Sequence, residues 1–81
     1  MYKPEIIGYF VCKLDEGEEV NPSNIFVAIN EKFDSQGNIT CYVPIGQHGA
    51  LSREYLKECQ RITKEEYVGI SKGIYTPKEY L

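Results

Sequence analysis

Cys41-Tyr42-Val43-Pro44-Ile45-Gly46-Gln47-His48-Gly49-Ala50-Leu51-Ser52 is the stretch of sequence that decides the fold. Up to Val43 the residues alternate with the two-residue period of a β-strand. Pro44 has no N–H to donate to a β-ladder, so we expect the strand to end there. Ser52 is a good helix N-cap because its hydroxyl accepts from first-turn N–H groups. The chain therefore changes from strands to helices within this stretch.

The residues between that strand and that helix are predicted to form a loop. Gly46 and Gly49 permit backbone angles that other residues avoid, and they flank His48, the single histidine of the chain. A loop held on a folded scaffold can present such a side chain to a partner. We therefore predict that Gly46, Gln47 and His48 take part in binding. A surface histidine without a role is the simpler alternative.

Three strands are predicted before this loop, in residues 5–14, 25–33 and 38–43. The first is apolar on both faces, which is typical of a central strand covered on both sides. The second and third flank a turn that contains Gly37, and we expect them to form an antiparallel hairpin. The first strand is expected beside one of them, in a meander.

Two short helices are predicted after the loop. The first covers residues 52–60, and the second begins at Thr63, which forms a capping box with Glu66, and ends near Gly73. Thr76-Pro77 starts one further helical turn. The predicted fold is a single α+β domain over residues 1–81, in which a three-stranded antiparallel sheet is followed by two short helices packed on one face.

Composition narrows the classes of function. The chain has 81 residues and a formal net charge of −3, which argues against a binder of nucleic acid or of anionic membrane surfaces. No apolar run has the length of a membrane span. Seven tyrosines suit an interaction surface, because tyrosine is large, stiff and amphipathic. No nucleotide-binding or hydrolase motif is present, so we predict a protein that is not an enzyme and uses no cofactor.

The three cysteines, Cys12, Cys41 and Cys59, are far apart in the sequence and odd in number. The first five residues have no apolar segment of the kind found in signal peptides. We therefore expect a reduced, cytoplasmic protein with buried thiols. The alternative is a metal- or thiol-dependent site that combines His48 with Cys41 and Cys59. Zinc sites usually contain a closely spaced cysteine pair, which this sequence lacks.

Three aromatic side chains, Tyr9, Phe26 and Tyr42, are predicted to share one face of the sheet. Aromatic residues on a sheet stack the bases of single-stranded nucleic acid in several folds, which is a second alternative. The basic groove that should accompany them is missing. The sequence alone therefore argues against nucleic acid as a partner.

The same three residues lead to a prediction about assembly. Two short helices cannot cover both faces of the sheet, and monomers seldom leave a large apolar face in water. We therefore predict a homodimer through the sheet face or edge, with Tyr9, Phe26 and Tyr42 near its centre. The alternative is that residues 15–24 and the C-terminal turn fold over that face, with Tyr80 and Leu81 as the cover.

The C-terminal half also carries a resemblance. The run Tyr42…Gly46-Gln47-His48-Gly49…Ser52-x-x-Tyr55-Leu56-Lys57-x-Cys59…Thr63-x-x-Glu66-Tyr67 resembles a group of small uncharacterised proteins of gut anaerobes and of their phages and mobile elements. The resemblance implies a mobile-element or phage accessory protein and directs attention to Gly46, Gln47 and His48. Together with the composition, it leads us to predict a small cytosolic protein-interaction module that acts by binding.

Overall fold

The computed structural model describes residues 4–81, an α+β domain built on a five-stranded antiparallel sheet. Its strands are β1 (Ile6–Val11), β2 (Ile25–Lys32), β3 (Ile39–Val43), β4 (Gln47–Leu51) and β5 (Gln60–Ile62). Its helices are α1 (Arg53–Glu58) and α2 (Lys64–Ile70), with short 3-10 turns at Pro22–Asn24 and Lys78–Tyr80. Residues 1–3, part of the segment used to argue against a signal peptide, lie outside the described residues.

The predicted α+β class, antiparallel sheet and two helices are confirmed, but the predicted number of strands is wrong. The strands lie in the order β4-β3-β2-β1-β5. β1, β2 and β3 form the expected meander. β1 is also an interior strand, as predicted, because it pairs with β2 on one side and with β5 on the other. Both edge strands, β4 and β5, lie in segments where the sequence predicts a loop and the end of a helix.

β4 lies where the glycines of the sequence predict a loop. The chain reverses in three residues, with Gly46 at φ +91° and its N–H donating to the carbonyl of Val43 over 2.9 Å. A glycine with positive φ at the end of a three-residue connection is a common hairpin geometry. Gly49 then lies inside the strand, opposite Cys41. Only Gly46 is needed for the turn, and the pairing with β3 determines the conformation of the rest.

β5 has three residues and begins at Gln60, where the sequence predicts the end of the first helix. Cys59 ends α1 with an extended backbone, at ψ 153°, and residues 60–62 then pair with Tyr9–Val11 of β1. Thr63 starts α2 immediately afterwards. A strand of three residues is too short to show a sequence period. Its extended conformation follows from its pairing with the edge of β1.

The predicted helix starts are confirmed. The Ser52 hydroxyl accepts from the N–H of Tyr55 at 3.0 Å. In the capping box, the Glu66 N–H donates to the Thr63 hydroxyl over 3.0 Å, and the Thr63 N–H donates to the Glu66 carboxylate over 2.9 Å. The helices end one or more residues earlier than predicted, and the further turn after Pro77 is present at Lys78–Tyr80.

The two faces of the sheet support separate apolar clusters. The first face packs against α2 and the C-terminal turn. Its buried members are Val11, Ile25, Val27, Ile29, Tyr42, Ile62, Tyr67 and Tyr80. The second face packs against α1 through Leu56. Its buried members are Phe10, Phe26, Ala28, Ile39 and Leu51. The helices therefore lie on opposite faces, and the prediction that both pack on one face is wrong.

The prediction that Tyr9, Phe26 and Tyr42 share a face is also wrong. Tyr9 and Tyr42 both align with Val27 across the sheet, whereas Phe26 aligns with Phe10 and points to the second face. Alternation within a strand can be read from sequence. The register that matches one strand's faces to the next cannot, because it depends on contacts between distant residues.

The uncovered apolar face on which the homodimer prediction rested is not found among residues 4–81. Phe26 and Tyr42 are each only 5% exposed, within the core of the single chain. Tyr80 covers the first face and is buried, as the alternative proposed, whereas Leu81 is 41% exposed. The prediction that a dimer forms through a sheet face centred on Tyr9, Phe26 and Tyr42 is therefore wrong. The homodimer itself stays a prediction.

Candidate functional site

The predicted binding residues Gly46, Gln47 and His48 lie together at the β3–β4 hairpin. Gly46 completes the turn, Gln47 pairs with Val43, and His48 pairs with Tyr42. All three predicted residues are exposed. The sequence therefore identified an exposed segment correctly but assigned it the wrong structure, because it is an edge strand and not a loop.

The His48 imidazole is held against the C-terminal turn. Its Nε2 lies 2.7 Å from the hydroxyl of Tyr80. The imidazole also packs edge-on against Tyr42, with ring centroids 5.0 Å apart. Imidazole nitrogen can accept from the phenol when it carries no proton and donate to it when it does. This contact fixes the position of His48 on β4 and joins the edge strand to the end of the chain.

Tyr80 is the centre of an aromatic cluster on the first face. The Tyr9 hydroxyl donates to the Tyr80 backbone carbonyl over 2.8 Å, and the Tyr80 ring packs on Tyr42 at 5.1 Å. Beneath it, the rings of Tyr9 and Tyr67 are 5.2 Å apart. The Tyr67 hydroxyl in turn bonds Thr76 at 3.0 Å, which anchors the segment leading to Tyr80. The sequence indicated the turn at Thr76-Pro77 but not what it covers.

Burial raises the pKa of three phenols in this cluster, those of Tyr9, Tyr67 and Tyr80. Desolvation, reinforced by the nearby Glu65 carboxylate, raises the pKa of Tyr9 above its ordinary value. Desolvation also raises the pKa of Tyr80, with smaller contributions from Glu79, Glu31 and Tyr42. The phenol groups therefore serve as hydrogen-bonding groups and packing surfaces at neutral pH.

The structure does not bring His48 together with Cys41. Cys41 packs with the second face, whereas His48 contacts Tyr42 and Tyr80 on the first. Cys59 also packs with the second face. Within residues 4–81, no group of three or more His, Cys, Asp or Glu side chains is placed to hold a metal ion. The thiol–imidazole alternative requires His48 beside Cys41 or Cys59, and the structure places them on opposite faces of the sheet.

The aromatic residues do not form an open stacking platform for bases. Phe26 stacks on Phe10 with ring centroids 5.7 Å apart, inside the second cluster. Tyr42 is covered by Tyr80 and His48. The nucleic-acid alternative needed these rings to be exposed on one face, and they are neither exposed nor on one face.

The outer edge of β4 presents backbone hydrogen-bonding groups at this site. Burial raises the pKa of Cys41, and the N–H of Gly49, which is aligned with Cys41, opposes that shift, so this N–H points towards β3. Because bonding alternates along an antiparallel strand, His48 and Ala50 direct their N–H and C=O groups away from β3. In the part of the chain that the structure describes, no strand lies beyond β4.

This edge lacks the usual protection against further pairing. Proteins commonly blunt an edge strand with charged residues, proline, a bulge or a very short length. β4 reads Gln47-His48-Gly49-Ala50-Leu51 and pairs with β3 through five successive positions without a bulge. The opposite edge differs, because β5 has three residues and carries Arg61, whose guanidinium donates to the Ile7 carbonyl over 3.2 Å.

Comparisons with known proteins add no further assignment: no family model, no curated protein and no solved structure matches this chain. Between residues 4 and 81, no helix has the length and apolar character needed to cross a membrane.

Proposed function

We propose that this protein is a small interaction module that acts by binding an extended segment of a partner protein along the outer edge of β4. The observation that carries the proposal is the regular, uncharged and unbulged edge strand. A strand added there forms backbone hydrogen bonds with His48 and Ala50. Such strand addition derives affinity from the main chain and selectivity from neighbouring side chains.

The side chains beside this edge supply the selectivity. Gln47 and His48 are exposed on alternate sides of β4, because they align with Val43 and Tyr42 on opposite faces. The contact of His48 with Tyr80 holds the imidazole before any partner arrives. A preformed edge with a fixed side chain loses little conformational freedom on binding, which favours affinity.

The cellular setting is proposed from the sequence. The likeness of the C-terminal half to small proteins of gut anaerobes and their mobile elements supports an accessory role in a mobile element or phage. The odd number of cysteines and their wide spacing in the sequence support a reducing compartment, which we propose is the cytoplasm. Fractionation of the native cell tests this location, and recovery of the protein outside the cytoplasm would refute it.

The edge-binding proposal is tested by comparing two substitutions at one position. Ala50→Pro removes the outward N–H and is compatible with an edge position, whereas Ala50→Ser keeps that N–H and serves as the matched control. Both variants and the wild type are used for quantitative affinity capture from the native cell, after thermal melts verify that they fold. We expect one partner to be retained by wild type and Ala50→Ser and lost by Ala50→Pro. Equal capture by all three would contradict the proposal.

A second copy of the chain is the second candidate partner, since the same edge is able to pair with itself across a two-fold axis. The two sheets would then join through antiparallel β4 strands. Sedimentation equilibrium across the micromolar range tests this candidate. A dimeric mass for wild type and a monomeric mass for Ala50→Pro support it. A monomeric wild type discards the homodimer and leaves the heterologous partner to the capture experiment.

A further inference from the structure

Two of the three cysteines lie one position beyond the paired residues of β1 and β5. The register pairs Tyr9 with Ile62, and it continues to Val11 with Gln60. Continued by one position past the ends of β1 and β5, that register would align Cys12 with Cys59. Cys59 has the extended backbone of a strand residue, and both cysteines pack against the second face. Residues far apart in sequence thus become cross-strand neighbours.

The hydrogen-bond pattern of β1 predicts the closer of the two cross-strand spacings for an alignment of Cys12 with Cys59. The Cys12 N–H donates to the Asn24 carbonyl over 2.7 Å and is therefore directed away from β5. In this alternation an alignment of Cys12 with Cys59 is a pair without mutual backbone bonds, and the Cys59 N–H donates instead to the Leu56 carbonyl over 3.1 Å. Such pairs have Cα atoms about 4.5 Å apart. A disulfide spans Cα separations of about 4.4–6.8 Å, so the spacing suits a bond.

The surroundings of the pair bring the sulfur atoms into one small environment. The Cys59 thiol donates to the Tyr55 carbonyl over 3.4 Å, and the Asn24 amide donates to the Cys12 sulfur over 3.9 Å. Desolvation raises the pKa of Cys59, the Lys13 N–H opposes that shift, and Cys12 adds to it. The Lys13 N–H that opposes the shift belongs to the residue directly after Cys12, which places this end of β1 beside the Cys59 sulfur. Both side chains are half-buried and hence reachable by a small reagent.

We propose that Cys12 and Cys59 form a dithiol site that small-molecule disulfides, such as oxidised glutathione, convert reversibly into an intramolecular disulfide. One cysteine thiolate attacks the glutathione disulfide, which forms a mixed disulfide and releases one glutathione thiolate. The second cysteine thiolate then attacks the protein sulfur of that mixed disulfide and releases the other glutathione. The protein loses two electrons and two protons, and one glutathione disulfide becomes two thiols.

Cys41 is the internal control for this chemistry. It lies on β3, separated from β1 by β2, and is aligned with Gly49. Its distance in the sheet excludes it from a cross-strand bond with Cys12 unless the fold opens. Selectivity for Cys12–Cys59 is therefore a property of the folded register and not of thiol reactivity alone.

Bond formation is expected to hold the end of β1 against the start of β5. β5 has only three residues, so its pairing depends on the segments that flank it on either side. A link between residues far apart in sequence also restricts the unfolded chain, which raises the stability of the folded state. The melting temperature of the oxidised protein should accordingly exceed that of the reduced protein, and dithiothreitol should restore the lower value.

The experiment treats the folded full-length chain with oxidised glutathione under dilute conditions and follows intact mass and peptide maps. Wild type and Cys41→Ser should each lose two hydrogens and yield one Cys12–Cys59 linked peptide. Cys12→Ser and Cys59→Ser should instead form no internal link, carry a glutathione adduct on the remaining member of the pair in the peptide map, and show no rise in melting temperature. Glutathione adducts on wild type without the internal link, or a link that involves Cys41, would overturn the proposal. Because all four proteins are first checked for the same far-ultraviolet circular dichroism, misfolding is separated from lost chemistry.

Discussion

At the scale of single residues, the contact between His48 and Tyr80 links the edge strand to the end of the chain. The sequence drew attention to His48, because it is the single histidine and lies between glycines. It gave no indication of Tyr80 as its partner, since the two are 32 positions apart and meet only when the C-terminal turn crosses the first face. Local patterns predict exposure, whereas long-range contacts require the register of the whole sheet.

Tyr80→Phe tests that contact, because it removes the hydroxyl and keeps the ring. We expect a loss of about 1 kcal/mol in the free energy of unfolding, since a hydrogen bond of this kind contributes that amount. Urea denaturation measures it. Tyr75→Phe is the control, because Tyr75 is 72% exposed and its change should be negligible. A His48→Ala, Tyr80→Phe double variant whose effects simply add would argue that the hydroxyl and imidazole do not interact.

The buried phenols predict the response to alkaline pH. The pKa values of Tyr9 and Tyr80 are raised in the folded state, so the folded protein holds these protons more tightly than the unfolded chain. Their stabilisation is complete below about pH 10, the ordinary tyrosine value, and is lost as pH rises through the folded values. Urea denaturation at increasing pH should show this decline, with a smaller decline in Tyr80→Phe. A constant free energy of unfolding across the alkaline range would contradict it.

At the scale of elements, the helix starts were predictable and the two edge strands were not. Thr63 and Glu66 specify a capping box within four residues, so the sequence contains the whole interaction. β4 and β5 owe their conformation to β3 and β1, which are their partners in the sheet. The conformation of a short edge strand depends on pairing with the adjacent strand of the sheet. The pattern of residues within the short strand does not reveal that pairing.

Thr63→Ala measures the capping contribution. It removes the hydroxyl that accepts from Glu66, and we expect a loss of about 1 kcal/mol in the free energy of unfolding. Lys64→Ala changes an exposed neighbour that makes no cap and should leave stability nearly unchanged. If both substitutions have equal effects by chemical denaturation, the cap does not stabilise α2.

Two glycine substitutions distinguish the hairpin turn from the helix interior. Gly46 has φ +91°, so Gly46→Ala should cost about 1–2 kcal/mol of stability. Gly69 lies in α2 with open space at its Cβ position, so Gly69→Ala should stabilise by about 0.5–1 kcal/mol. Thermal melts of the two variants should shift in opposite directions. A shift in the same direction would argue against the turn or the helix as described.

At the scale of the whole molecule, the sequence predicted an α+β domain with a meander and a covered central strand, which are features of alternation and local turns. It did not predict which faces of the strands coincide. The register of β1 against β2 determines which faces coincide. It includes a bulge between Ile6 and Gly8 and the pairing of Phe10 with Phe26. The consequence is functional: with both faces covered by helices and the C-terminal turn, the β4 edge replaces the sheet face as the proposed binding surface.

The most direct test of this account is amide hydrogen exchange along β4 in the free protein, followed residue by residue by NMR. The account predicts slow exchange for Gln47, Gly49 and Leu51, which bond β3, and fast exchange for His48 and Ala50, whose amides face outward. Dilution shows whether a second copy of the chain protects this edge. If the protection of the His48 and Ala50 amides disappears on dilution, β4–β4 pairing between two copies is its cause. Fast exchange at all five amides would show a loop in place of β4 and would contradict the account. Slow exchange of His48 and Ala50 that persists at the lowest concentration would also contradict it.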